Sequence, residues 1–174
     1  MILVAGVGYS DLSDLSFGPV LIERLREMEW PAEVRIEDFS YAPIPNLEWF
    51  EESPGKKFDR AILAGAVERG HEPGTLTVYD WSADPLDPGD VQDRVAEAVT
   101  GVISLENLLI VAQHFDLLSP RTSVIELEPL YTEWGQNLSP LGDERLEQVV
   151  RWIQREVRAG EARANGRSKE MSSK

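Results

Sequence analysis

The chain has 174 residues, 42% of them hydrophobic, enough for one domain with a substantial core. Its net charge of −14 opposes binding to phosphate backbones, so nucleic acid is not an expected partner. It has no cysteine, which excludes disulfides, thiolate metal sites and cysteine nucleophiles, and no apolar run is long enough to span a membrane.

Residues 2–6 form an unbroken apolar run, the pattern of a strand buried on both faces. The turn Gly6-Val-Gly8 follows, then a polar loop to Asp14. A helix is expected over 17–29, with Phe17, Val20, Leu21, Leu25 and Met28 on one face, Ser16 as its cap and Pro19 in its first turn. Residues 33–38 alternate like a strand and end on Asp38, and a short helix is expected over 46–51.

A third buried strand is expected over 59–67, and Thr75–Tyr79 reads as a fourth. The Asp- and Pro-rich stretch 82–90 reads as loop, followed by helices over 91–99 and from Ser104 onward. Residues 122–127 make a fifth strand. Ser139-Pro140 opens a last helix, with Ser as cap, Pro in the first turn and acids close behind. Leu146, Val149, Val150, Ile153 and Val157 repeat along it at helical spacing. Strands alternating with helices predict an α/β protein, a three-layer α/β/α sandwich around a five-stranded, mostly parallel sheet of the phosphorylase/hydrolase-like kind. The expected organisation is one domain over 1–158 and a flexible polar tail over 159–174, which carries +2 of net charge against −16 for the rest.

Gly6-Val-Gly8 after a strand raises a dinucleotide fingerprint, but Asp11 stands where that motif needs its third glycine. The reading from the residues is a tight turn. Acidic side chains gather near the expected carboxyl edge of the sheet, where α/β proteins bind ligands. Asp14 and Asp38 are the candidate catalytic carboxylates. Asp11, Asp14, Asp38 and His71 are the candidate metal ligands, set against plainer roles as turn and cap residues. His114, late in a helix, reads as a dipole-stabilised histidine. No Gly-x-Ser-x-Gly elbow or Walker-type motif is present. Tyr41, Trp49, Phe50, Trp81, Tyr131 and Trp134 fall in or near expected loops, as core covers or interface anchors.

An ordered set of short motifs resembles the hydrogenase maturation endopeptidases, nickel-dependent proteases that trim the large subunit of NiFe hydrogenases. The set is Gly6-Val-Gly8, Asp14 and Gly18, then Asp38, then Glu72-Pro-Gly-Thr75 after the third strand, then Gly135-Gln-Asn-Leu-Ser-Pro140 before the last helix. The resemblance spans residues 1–157 and implies the α/β/α fold. It also implies a Glu, an Asp and a His that hold nickel already seated in the substrate. In this chain the Glu position is Leu15, the Asp position is Ala64 or Gly65, and the His position is near Gly101 or Val102. None of these side chains donates an electron pair to a metal ion. The resemblance, with those ligands lost, implies a cytoplasmic, protease-like protein without a cofactor of its own, nickel arriving only with the substrate. It would bind a NiFe hydrogenase large subunit or a maturation factor without cutting it, in the manner of a chaperone. The alternatives are an active endopeptidase with a relocated acidic metal site, and an oligomerisation module with no maturation role.

Overall fold

The computed structural model describes residues 1–40, 58–82, 89 and 104–171, with side chains described as far as residue 160. Five strands and three helices order the described chain: β1 (Ile2–Gly6), a 3₁₀ turn (Ser13–Ser16), α1 (Phe17–Arg26), β2 (Val34–Asp38), β3 (Arg60–Ala66), β4 (Leu76–Asp80), α2 (Leu105–His114), β5 (Thr122–Leu127) and α3 (Pro140–Met171). The helices expected over 46–51 and 91–99 lie outside the described residues.

The sheet order is β2-β1-β3-β5-β4. β1 pairs in parallel with β2 and β3, and β3 in parallel with β5; β4 runs antiparallel to β5 at the edge. The five-stranded, mostly parallel α/β sheet is thus as expected.

Alternation along the strands sends side chains to two cores. Val4, Ile62, Ala64, Ile125 and Leu127 meet α1 and α3 through Leu21, Ile22, Leu25, Leu146, Val150 and Ile153. On the other face Leu3, Ala5, Leu63 and Val124 meet α2 through Leu105, Leu108 and Leu109. The central strands β1 and β3 have apolar side chains on both faces, which is why their sequences read as largely apolar runs; β5 is buried throughout as well, but carries Thr122, Ser123 and Glu126.

The glycine turn is a packing device. A Cβ on Gly18 would overlap the backbone of Val7, so helix and strand end can touch only without that carbon. α1 ends at Arg26, earlier than expected, and Trp30 Nε1 donates to the Leu25 carbonyl (2.7 Å) to satisfy its C-terminus. Ser16 does not cap α1 with its side chain; its hydroxyl accepts the Leu12 N–H (2.9 Å), back in the preceding loop. Ser139 accepts the Gly142 N–H (2.9 Å), the N-cap bond its position predicts. α3 continues to Met171, so the polar segment expected as a tail is helical over 159–171, although its last core residue is Val157.

Candidate functional site

The carboxyl ends of β1, β2, β3 and β5 share one edge, and the loops leaving them build the candidate site. The loop after β1 and the loop after β5 are fastened together. Ser13 N–H donates to the Gly135 carbonyl (2.8 Å) and Gly135 N–H to the Asp11 carbonyl (2.9 Å). Asp11 and Ser13 hold left-handed backbones (φ 58° and 47°) to make these bonds.

Asp14 is the centre of this fastening. It is 1% exposed. Its Oδ2 accepts Leu130 N–H (2.9 Å), Tyr131 N–H (3.2 Å) and the Ser139 hydroxyl (2.9 Å), and its Oδ1 accepts Ser139 N–H (2.7 Å). Its own N–H donates to the Tyr131 carbonyl (3.1 Å). The carboxylate therefore orders a loop more than a hundred residues away, and every contact it makes is to that loop or to the start of α3.

The other candidate ligands are scattered around the edge. Asp38 ends β2, and its Oδ1 accepts Ser40 N–H (2.9 Å), an Asx turn. His71 is exposed on the loop after β3. Asp11 uses its carbonyl for Gly135. Among the described residues no group of three or more His, Asp or Glu is placed to hold a metal ion, so Asp11, Asp14, Asp38 and His71 do not assemble a cluster. His114 closes α2 with its ring edge-on to Phe115 (5.1 Å between centroids).

Among the described residues, the positions where the resemblance implies ligands are filled or closed. Leu15 lies half-buried in the 3₁₀ turn. Gly65 is buried near the end of β3, on the α2 face. A Cβ there would sit 2.6 Å from the Val7 carbonyl oxygen and 3.5 Å from the Leu105 side chain, so this backbone has no room for a carboxylate. Gly101 lies outside the described residues.

Next to Gly65, a charged network appears that the sequence reading passed over. Glu126 of β5 is the register partner of Gly65 and is buried. Arg69, on the loop after β3, grips it with both arms of its guanidinium: Nε to Oε2 at 3.1 Å and Nη2 to Oε1 at 2.9 Å. The Tyr79 hydroxyl donates to the same Oε1 (2.8 Å), and Arg69 Nη1 lies 3.6 Å from Glu106 at the start of α2. Glu128 completes the anchor by accepting the N–H groups of Arg69 (2.9 Å) and Gly70 (3.2 Å). Burial pushes the Glu126 carboxyl up, but the bonds from Arg69 and Tyr79 outweigh it and hold it below its ordinary value. Burial first, then the bond to Glu126, pushes the Tyr79 phenol well up, and the same pairing holds Arg69 protonated. The available sequence signal was a glutamate, Glu126, inside an otherwise buried apolar strand.

The aromatics divide. Trp81 follows β4, which runs antiparallel, so it lies at the opposite edge of the sheet. It packs on the α2 core and donates to Gln113 Oε1 (2.7 Å). A concavity of about 270 Å³ opens beside it, lined by Arg60, Asp80 and Arg121 among others, remote from the carboxyl edge. Tyr41, Trp49 and Phe50 lie outside the described residues. Leu130, Tyr131 and Trp134 stand out from the fastened loop, Trp134 at 75% exposure.

No protein-family profile matches the chain, and no curated protein matches it in sequence. Solved structures do. A hydrogenase 2 maturation peptidase from a Thaumarchaeota archaeon superposes with a TM-score of 0.63 and 25% identity, over 90% of this chain and 97% of that one. The hydrogenase maturating endopeptidase HybD from E. coli gives 0.63 and 20% identity over 91% and 93%. A [NiFe] hydrogenase maturation protease, HycI from Thermococcus kodakarensis, gives 0.57 and 19% identity over 90% and 92%.

Proposed function

We propose that this chain, which has the fold of the hydrogenase maturation proteases, is a protease-like protein that binds a NiFe hydrogenase large subunit, or a factor in its maturation, at the carboxyl edge of the sheet and does not cleave it. The observation that carries this reading lies at the end of β3: of the two positions to which the resemblance assigns an Asp ligand, Ala64 is buried in the core against α1 and α3, and Gly65 is closed by the Val7 carbonyl. Beside it the Arg69 guanidinium, a fixed organic cation, neutralises Glu126. A dication brought close to Arg69 meets repulsion from that guanidinium rather than a set of donors.

On this reading the protein has no resident cofactor and meets nickel only as cargo of its partner. Binding rests on the ordered loop after β5, which exposes the large apolar side chains Leu130, Tyr131 and Trp134. Within the described residues no helix is long and apolar enough to cross a membrane, and the proposed setting is the cytoplasm.

The test is incubation of the purified protein with a nickel-loaded large-subunit precursor, followed by mass spectrometry of the precursor's C-terminus and by size-exclusion chromatography. The expected result is a stable complex with the precursor's mass unchanged. Shortening of the C-terminus overturns the non-cleaving reading. If a chelator also stops that shortening, the alternative of an active, metal-dependent endopeptidase replaces it.

A further inference from the structure

The loop after β5 places three large apolar side chains in solvent within five residues: Leu130 at 41%, Tyr131 at 47% and Trp134 at 75% exposure. Such side chains on a mobile loop lose entropy when they bind. Here the backbone share of that loss has already been met in folding, because Asp14, Ser13 and Asp11 fix the loop's backbone at Leu130, Tyr131 and Gly135. Exposed Trp and Tyr on a fixed backbone, with Leu130 beside them, make an interface anchor.

Acidic side chains adjoin it among the described residues. Asp11 is bonded through its carbonyl to Gly135, next to Trp134, and Glu133 lies within the patch itself. Exposed Glu68 and Glu72 sit on the loop after β3, which is bonded to Leu127 and Glu128 on the approach to Leu130. The neighbouring cations are already paired: Arg69 with Glu126, and Arg145 with Glu144 and the Gly74 carbonyl. A second copy of the chain would bring a net charge of −14 against this rim, and an anionic lipid surface would be repelled in the same way.

We propose that Leu130, Tyr131 and Trp134, rimmed by Asp11, Glu133, Glu68 and Glu72, form a docking surface for a basic segment of another protein that carries bulky apolar side chains between its Lys and Arg residues. This rests on the partner-binding part of the function proposed above and is independent of whether the partner is cut. The apolar anchors supply affinity, and the acidic rim supplies on-rate and selects the sign of the segment.

The experiment uses fluorescence anisotropy with three labelled peptides of about twelve residues. One alternates Leu, Phe and Trp with Lys and Arg. The second replaces Lys and Arg by Glu, and the third replaces the apolar residues by Ser. The full-length protein is expected to bind the first at least tenfold more tightly than either of the others. Trp134→Ala is expected to weaken that binding tenfold or more with an unchanged unfolding midpoint. The pair Asp11→Asn and Glu133→Gln is expected to weaken it and reduce its dependence on salt. Failure to bind the first peptide, equal binding of the acidic or serine peptide, or unchanged affinity in Trp134→Ala overturns the proposal. So does a concentration-dependent dimer in ultracentrifugation that Trp134→Ala dissolves, since the occupant would then be a second copy. Cleavage of a precursor would overturn the non-cleaving reading and leave this surface standing; loss of peptide discrimination does the reverse.

Discussion

Replacing Asp14 separates a structural carboxylate from a chemical one. In Asp14→Ala three backbone N–H groups, of Leu130, Tyr131 and Ser139, and one hydroxyl lose their acceptor. A buried donor left without a partner costs about 1–3 kcal/mol, and hydrogen bonds to a charged acceptor are the stronger kind. These four share one acceptor, and water entering the space left by the carboxylate would satisfy part of them, so the sum is less than four separate losses; the expected destabilisation is about 3–5 kcal/mol. In a chain of this length that lowers the melting temperature by roughly 6–20 °C. Asp14→Asn keeps one oxygen but turns an amide N–H₂ toward the remaining donors, and is expected to fall between Ala and wild type. Urea unfolding monitored by tryptophan fluorescence measures both, and Trp134 in the released loop gives a local signal. A loss below about 1 kcal/mol in Asp14→Ala would refute the clamp and return Asp14 to the list of candidate catalytic groups.

Gly65→Ala is expected to destabilise by about 1–3 kcal/mol in the same unfolding assay, because its Cβ meets backbone that cannot yield freely. Near-neutral stability there would mean that the ligand position is open after all. Ser139→Ala removes both the α3 cap and one Asp14 partner; a loss of about 1–2 kcal/mol is expected, with smaller additional losses when it is combined with Asp14→Ala, measured as a double-mutant cycle. The folded-state pKa of Glu126 lies below its ordinary 4.5, so its contribution is complete above that value and is lost as pH falls through the depressed one. Tyr79 is shifted the other way: its contribution is complete below the ordinary 10.0 and is lost as pH rises through the raised value. Unfolding free energies across a pH series are expected to fall at both ends in the wild type, with the acid limb shallower in Glu126→Gln and the alkaline limb shallower in Tyr79→Phe. Unchanged limbs would refute the assigned causes.

Much of the sheet was legible because burial on both faces leaves a mark in sequence. β1 begins and ends where its apolar run does, β5 covers the expected 122–127, and α3 starts at its Ser–Pro signal. The direction of β4 was not legible: Thr75–Tyr79 reads the same parallel or antiparallel, and its orientation follows from a chain reversal that no local pattern encodes. The site was less legible still. Asp14 looks like a loop or cap residue because each of its side-chain partners lies more than 110 positions away. Arg69 and Glu128 carry no pattern that separates them from solvated charges on loops, and the one signal, Glu126 within an otherwise buried strand, went unread.

The order β3-β5-β4 also sets a schedule for synthesis. β4 is made more than forty residues before β5, yet its described ladder is with β5 alone. While the ribosome extends the chain through α2, the apolar edge of β3 and the whole of β4 wait unpaired, which is the state most open to wrong strand pairing. The antiparallel strand is therefore locked in by the same late segment that brings the partners of Asp14. A nascent chain stopped before residue 122 would lack both, and the molecule reaches its working edge only when its last third has left the ribosome.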